Sequence, residues 1–507
     1  MHTWLWSLFV VVFFSLSAES LPENMLSIMQ QPKYAHSTWG LYVKDTETGQ
    51  VLYDLNSEQM FLPASTTKLF SVEALLHAYG DSYRFKTPVY VSGSIQDGIL
   101  HGDLILVGQG DLTFGGRQGN TDTIAFTTLD HVNANEIPGV TLTPQDPLHG
   151  LNELAKQIEK RGIKEIDGDV LIDDRLFETA VMRGTALSPV FLNENLIDIV
   201  VNPGAAGSPA KLSWRPQVPG YSVVNQVKSV SKEESMELDI SSDDTGRNIV
   251  IKGSIPIDQK DVVRTFSIKD PSHFVREAFI QALRNQGITL KLPKTQKTQL
   301  PAQKTLQAMT PLAVWVSPPL SEYAKLILKV SHNTGANLVP LLLAAHEGKR
   351  TFDEGMQLLG NFVVNVAKIP PNVFVFIDAA GGDNNRLTPK AEVQLLEYIK
   401  KLPADQFKTM YNALPILGVD GSLADFGKST NAAGKMRAKP GTGMAFNLAT
   451  HQYFLTTQAF AGYIEGKNGH LLTFMMAVNN ANVTAVSDVF AVFEDLSQLS
   501  AAIYDMN

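Results

Sequence analysis

The hydrophobic pattern begins with an apolar run, Leu5 to Leu16 (LWSLFVVVFFSL), followed by small residues at Ser17, Ala18 and Ser20. The run is too short to span a bilayer and matches the core and cleavage region of a secretory signal peptide, although His2 and no Lys or Arg precedes it. Residues 1–20 are therefore expected to direct export. No later stretch reaches about eighteen uninterrupted apolar residues, so the mature chain is expected to lack a membrane span.

After Pro22 a short helix is followed by alternating apolar positions at Thr38 to Val43 and Val51 to Asp54, around the turn Asp45 to Gly49. That pattern predicts a hairpin. Leu69 to Ala78 has helical spacing without a breaker, which puts Ser65 at a helix entry. From about 86 to 310 the pattern changes to short strands broken by Gly, Pro and Asp, including Gly102 to Asp111 and Gly168 to Asp174, with helices at Gly150 to Arg161 and Ser272 to Gln286. Helical spacing returns at Leu320 to Lys329, Ala336 to His346 and Asp353 to Val366. Strands are then expected at Lys435 to Pro440, Tyr453 to Tyr463 and Leu471 to Val478, and a closing amphipathic helix at Ser487 to Tyr504. Hairpins at both ends with helices between predict one sheet assembled from both ends of the chain. The reading is residues 21–85 plus 311–507 as one domain, and 86–310 as an insertion of one or two mostly β subdomains.

Composition narrows the chemistry. The 507 residues contain no cysteine, which excludes disulfides, thiolate metal sites and a Cys nucleophile. A formal net charge of -9, with no basic run, argues against general nucleic-acid binding. The histidines are scattered without an H-E-x-x-H pairing, and no metal or organic cofactor is expected.

Ser65 and Lys68, three positions apart at a helix start, lie on one face, so the amine can take the hydroxyl proton. S-x-x-K arises by chance about once or twice in a chain this long. Ser229 to Lys232 is such a decoy, in a polar stretch with no apolar helix after it. Ser331-His332-Asn333, just after a predicted helix, offers a second hydroxyl and an amide able to hold a peptide. A second S-x-N, Ser429-Thr430-Asn431, reads as a turn. Lys439-Pro440-Gly441-Thr442 lies on a strand near the C-terminus, where a Lys can hold a carboxylate and a Gly admits a substrate backbone.

S-x-x-K, S-x-N and K-T-G in this order form the signature of penicillin-binding proteins and serine β-lactamases. The long stretch between Ser65 and Ser331 resembles the class C low-molecular-mass penicillin-binding proteins, the D-Ala-D-Ala carboxypeptidase/endopeptidases. So do Asp45 to Lys68, Gly102 to Asp111, Gly168 to Asp174, Ser317 to Leu320 and Leu414 to Leu423. Two segments depart from that family: Pro440 replaces the threonine of K-T-G, removing a hydroxyl and a backbone N–H, and Asp378-Ala379-Ala380-Gly381-Gly382-Asp383 stands for D-G-S-G-L-S.

The resemblance implies an α+β transpeptidase fold, an antiparallel sheet with helices on both faces, carrying a large mostly β insertion. It implies a periplasmic serine D,D-peptidase acting on peptidoglycan stem peptides or cross-links and acylated by β-lactams. Ser65, Lys68, Ser331 and Asn333 would be catalytic. Lys439, Gly441, Thr442 and Asp173 would bind substrate, and the backbone N–H groups of Ser65 and Thr442 would hold the oxyanion. Lys68 must lose its proton to act as base, which burial and the charge of Lys439 would promote. His332, the middle residue of its motif, is expected to point away from the nucleophile. The competing readings are a weakened wall-binding protein of the same fold, motivated by Pro440, and a β-lactamase or esterase.

Overall fold

The two ends of the chain do build one antiparallel sheet, ordered Met436–Asn447, Gln452–Glu465, Leu471–Asn482, Thr38–Asp45, Val51–Leu55. The computed structural model describes residues 21–119, 121–296 and 299–507, so the expected export segment lies outside the described residues. Alternation explains how the sheet is buried on both faces. On the Gln452–Glu465 strand, Ala459, Ala461 and Tyr463 enter a core with Leu69, Phe70, Val393 and Leu396. Phe460 and Ile464 enter the opposite core with Met25, Val492, Leu496 and Ile503. The second core is closed by the helices Glu23–Met29 and Val486–Met506.

The helices expected at Leu69–Ala78 and Leu320–Lys329 form at Lys68–Tyr79 and Leu320–Lys329. The expected Asp353–Val366 helix is two pieces: Phe352–Asn361, started by a Thr351/Glu354 capping box, and a wider-wound turn at Phe362–Val366. Two further helices, Pro389–Lys400 and Ala404–Ala413, cover the sheet where no helix was expected. The first has a regular start, with Thr388 Oγ1 accepting the Ala391 N–H and Pro389 at the first helical position.

Between Lys86 and Val316 the chain forms three further main sheets. The largest runs Thr289–Lys291, Glu165–Asp167, Ile99–Val107, Lys86–Gln96, Ala313–Val316, with Val170–Asp173 also pairing with Ile99–Val107. The strand that enters this region and the strand that leaves it therefore lie side by side. The other two are Lys211–Arg215, Leu196–Asn202, Val262–Ser267 and Ser222–Val230, Asn248–Pro256, Glu237–Ser242. No helix among the described residues is long and apolar enough to cross a membrane.

Candidate active site

Ser65 lies in a tight turn, Ala64–Thr67, that feeds the Lys68–Tyr79 helix. The turn is sharp enough that Ala64 takes a left-handed backbone (φ 45°), unusual for a residue with a side chain and characteristic of constrained sites. Ser65 is half-buried and Lys68 fully buried. Lys68 Nζ is 2.7 Å from Ser65 Oγ, 2.8 Å from Asn333 Oδ1 and 2.7 Å from Ala380 O. Asn333 Oδ1 and Ala380 O can only accept. A neutral amine has two N–H groups and one lone pair, so those two oxygens use both donors and leave the lone pair for the Ser65 hydroxyl. Burial and then the positive charges of Lys439 and Arg183 drive the Lys68 pKa well below that of a free lysine, against the smaller pull of Asp378 and Glu136.

Asn333 opens the Asn333–His346 helix. Ser331 lies two residues before it, just past the end of the Leu320–Lys329 helix. The His332 N–H returns to Ile327 O at 3.0 Å, closing that helix with a Schellman turn, and Ser331 occupies its left-handed position at φ 60°. His332 does point away from Ser65, as the sequence implied. Its Nδ1 accepts the Gly335 N–H at 2.9 Å, and its Nε2 lies 2.7 Å from Glu194.

The third segment runs along Met436–Asn447, the sheet's edge strand. Lys439 is fully buried. Its Nζ donates to Pro440 O at 2.6 Å, and no carboxylate among the described residues pairs with it. Burial lowers its pKa to about 7. Ala438 donates its N–H away from the ladder to Pro415 O. By antiparallel alternation the amide positions of residues 440 and 442 face the same free edge. Pro440 therefore removes no bond from the sheet, and the Thr442 N–H stays off the ladder. Gly441 lies against the Ala64–Thr67 turn: a Cβ there would be 2.3 Å from Pro63 O and 3.0 Å from Ser65 N. The strand's bulge falls after Gly443, beyond Thr442, so it does not redirect Thr442. Thr442 Oγ1 instead donates to Gln458 Oε1 at 2.9 Å.

One wall was not read from the sequence as part of the site. Asp378 Oδ1 accepts the N–H groups of Ala380, Gly381 and Gly382 at 2.8 to 3.1 Å. The turn so formed aims Ala380 O at Lys68. Ser71 Oγ donates to Ala379 O at 2.5 Å, and the Ala379 N–H donates to Asn337 Oδ1 at 3.1 Å. Gly381 (φ 95°) fits so tightly that a Cβ would meet Ala64 O at 1.8 Å. The segment that departs from the family pattern thus still fastens the Ala64–Thr67 turn. An Asp before Gly-Gly is a turn signal, but the role belongs to a backbone oxygen that any residue could supply.

Asp173 is not joined to this group. It is buried at the end of the Val170–Asp173 strand, where Arg175 Nε and Nη2 bind its two oxygens at 2.8 Å each. It lines a separate cavity of about 350 Å³ with Gln109, Leu176, Gln303 and Leu306. Ser229 Oγ is buried in the insertion and accepts the Gly204 N–H at 2.8 Å, and Asn431 donates to Asp505, so both decoy motifs are structural.

The D-Ala-D-Ala carboxypeptidase 3 (S13) family pattern matches residues 21–495. A D-alanyl-D-alanine carboxypeptidase of Actinomadura sp. (strain R39) is 26% identical over 93% of this chain and 84% of its own. D-alanyl-D-alanine carboxypeptidase DacB of Haemophilus influenzae is 26% identical over 82% of this chain and 81% of its own. The crystal structure of penicillin binding protein 4 (dacB) from Haemophilus influenzae superimposes with a TM-score of 0.72 at 21% identity, covering 95% of this chain and 99% of that one.

Proposed function

The chain belongs to the D-Ala-D-Ala carboxypeptidase 3 (S13) family of serine peptidases, and from that premise we propose that Ser65 is the residue acylated in its reaction. The observation that carries this reading is the set of three oxygens around Lys68 Nζ, which leaves its lone pair for the Ser65 hydroxyl.

In the proposed cycle Ser65 Oγ attacks the carbonyl of a D-alanyl peptide bond while Lys68 Nζ takes the hydroxyl proton. The developing oxyanion is received by the N–H groups of Ser65 and Thr442, and a missing donor of this kind typically slows such reactions by 10²- to 10³-fold. The C–N bond then breaks, and the leaving nitrogen takes a proton relayed from Lys68 through Ser331. Water, deprotonated in the same way, attacks the ester and regenerates the Ser65 hydroxyl. Asn333 positions the peptide. Lys439, buried without a carboxylate partner, receives a terminal carboxylate at the free sheet edge. The substrate class is peptidoglycan stem peptides or their cross-links, and a β-lactam acylates Ser65 as a substrate mimic. Export through the apolar leader would place the protein in the periplasm, where that substrate lies.

Because Pro440 replaces an amide that faces away from the ladder, the sheet edge is intact. That favours an enzyme over a wall-binding relic. The test is incubation with fluorescent penicillin, intact mass and peptide mapping, with Ser65→Ala and Ser229→Ala as paired controls. One adduct on Ser65, lost only in the first variant, is expected. An adduct elsewhere, or none on the folded protein, overturns the assignment, and rapid turnover of the adduct would mark a β-lactamase instead.

A further inference from the structure

Glu194 lies far from the three motifs in sequence, and its carboxylate meets the second of them. It lies in a segment where Asn193, Glu194 and Asn195 all have left-handed backbones (φ 48°, 58° and 60°). Asparagine tolerates that conformation, whereas for glutamate it is strained. Asn195 and Asn193 pin the turn by donating to Ala186 O at 3.0 Å and Leu196 O at 2.9 Å. The strained turn delivers Glu194 to the buried side of His332.

The charges there balance. Arg117 bonds both oxygens of Asp130 at 2.7 Å and also both oxygens of Glu194. His131 has one ring nitrogen on Asp198 at 2.7 Å and the other on Glu194 at 2.8 Å. Burial opposes its charge, but Asp198 and Glu194 push its pKa up to about 10. Arg215 Nε donates to Asp198 at 3.0 Å. Three carboxylates thus face two guanidiniums and one imidazolium. The ligand atoms of Asp130, Glu194 and His332 lie close enough to hold a metal ion, but the Arg117 guanidinium already bridges both carboxylates and takes the place of a cation.

His332 completes the arrangement. Its Nδ1 accepts from the Gly335 N–H, so the ring proton is on Nε2 and is donated to Glu194. The ring is held at both nitrogens, and the next residue is Asn333, whose amide oxygen accepts from Lys68. We propose that Glu194 is a positioning residue for catalysis: acting through His332, it holds the Ser331–Asn333 segment on Lys68, so that the insertion forms part of the active centre. This rests on the Ser65 acylation reading above.

The test is a double-mutant cycle with Glu194→Gln and His332→Asn, read as the single-turnover rate constant of Ser65 acylation separately from the dissociation constant of the β-lactam. Asparagine keeps a cap for the Asn333–His346 helix but does not reach Glu194. Each variant is expected to lower the rate constant by about 10- to 100-fold with little change in binding, and the double variant to be no slower than His332→Asn alone. Effects that multiply, or a folded His332→Asn protein acylated at the parent rate, would overturn the proposal. If Glu194→Gln fails to fold, His332→Asn alone still decides, because it leaves the ionic cluster whole. A parent protein that is not acylated at all would instead refute the Ser65 reading.

Discussion

Ser331 holds a backbone position that favours glycine. A non-glycine residue at φ 60° ending a helix is destabilised by about 1 kcal/mol relative to glycine. A hydroxyl kept there at that disadvantage fits a chemical role better than a structural one. Ser331→Gly is therefore expected to raise the thermal midpoint while lowering Ser65 acylation by about 10²-fold or more. Loss of stability together with activity would assign Ser331 to the scaffold. The two buried lysines make a separate prediction. The proposed cycle uses Lys68 neutral and Lys439 protonated. Burial and neighbouring cations depress Lys68, so kcat/KM rises as pH passes through its lowered pKa, and burial leaves Lys439 protonated only below about 7. For a peptide ending in a free carboxylate, kcat/KM should fall above about pH 7. An ester without that carboxylate should lack the alkaline limb, and finding the limb with both substrates would remove Lys439 from carboxylate recognition.

The edge strand Met436–Asn447 shows why Pro440 is tolerated. Its missing N–H lies on the side that Ala438 uses for Pro415 rather than for the sheet. Pro440→Thr should therefore leave the strand in register, lower stability by about 0.4–1 kcal/mol through a freer unfolded chain, and raise kcat/KM on carboxylate-terminated peptides. Unchanged kinetics would mean that Thr442 alone meets the need for a hydroxyl on this edge. The strand was legible in the sequence because Met436 and Ala438 alternate with Lys435, Arg437 and Lys439, and Ser65 and Lys68 were legible because the apolar helical run Leu69 to Ala78 follows them. The Pro389–Lys400 helix carries a legible start in Thr388-Pro389 and a helical apolar stripe through Val393, Leu396 and Ile399. Ala380 escaped because its contribution is a carbonyl, which residue type does not reveal. Glu194 escaped because one acid in a strand-rich segment has no pattern, and only tertiary structure brings it to His332.

At the scale of the molecule, one sheet drawn from both chain ends carries the Lys439 edge, and the inserted region leaves and rejoins it by neighbouring strands. Both faces of that sheet are covered, so acids beside it lose their hydration. Glu392 is wholly buried with one oxygen on Thr66 Oγ1 at 2.8 Å, and Glu73 is nearly as buried; burial raises both from 4.5 to about 8. A raised carboxyl pKa means that the folded state keeps a proton the unfolded chain has released. The stability each group contributes is full below about pH 4.5 and is lost as pH rises through about 8, at up to about 1.4 kcal/mol per pH unit. Other buried groups act elsewhere: Asp130 and Glu194, held low, change stability at more acidic pH, while His131 and Lys439 act above about 6.5 and 7. Between about pH 5 and 6.5 both glutamates lower stability as pH rises; Asp111, raised by burial, acts in the same sense, and Lys68 and His273, depressed by burial, act in the opposite one. Urea unfolding of Glu392→Gln across that window should show a pH slope of stability less negative than the parent's by up to about 1.4 kcal/mol per pH unit. An undiminished decline would mean that Glu392 is ionised in the folded protein, with its charge held beside the Ala64–Thr67 turn.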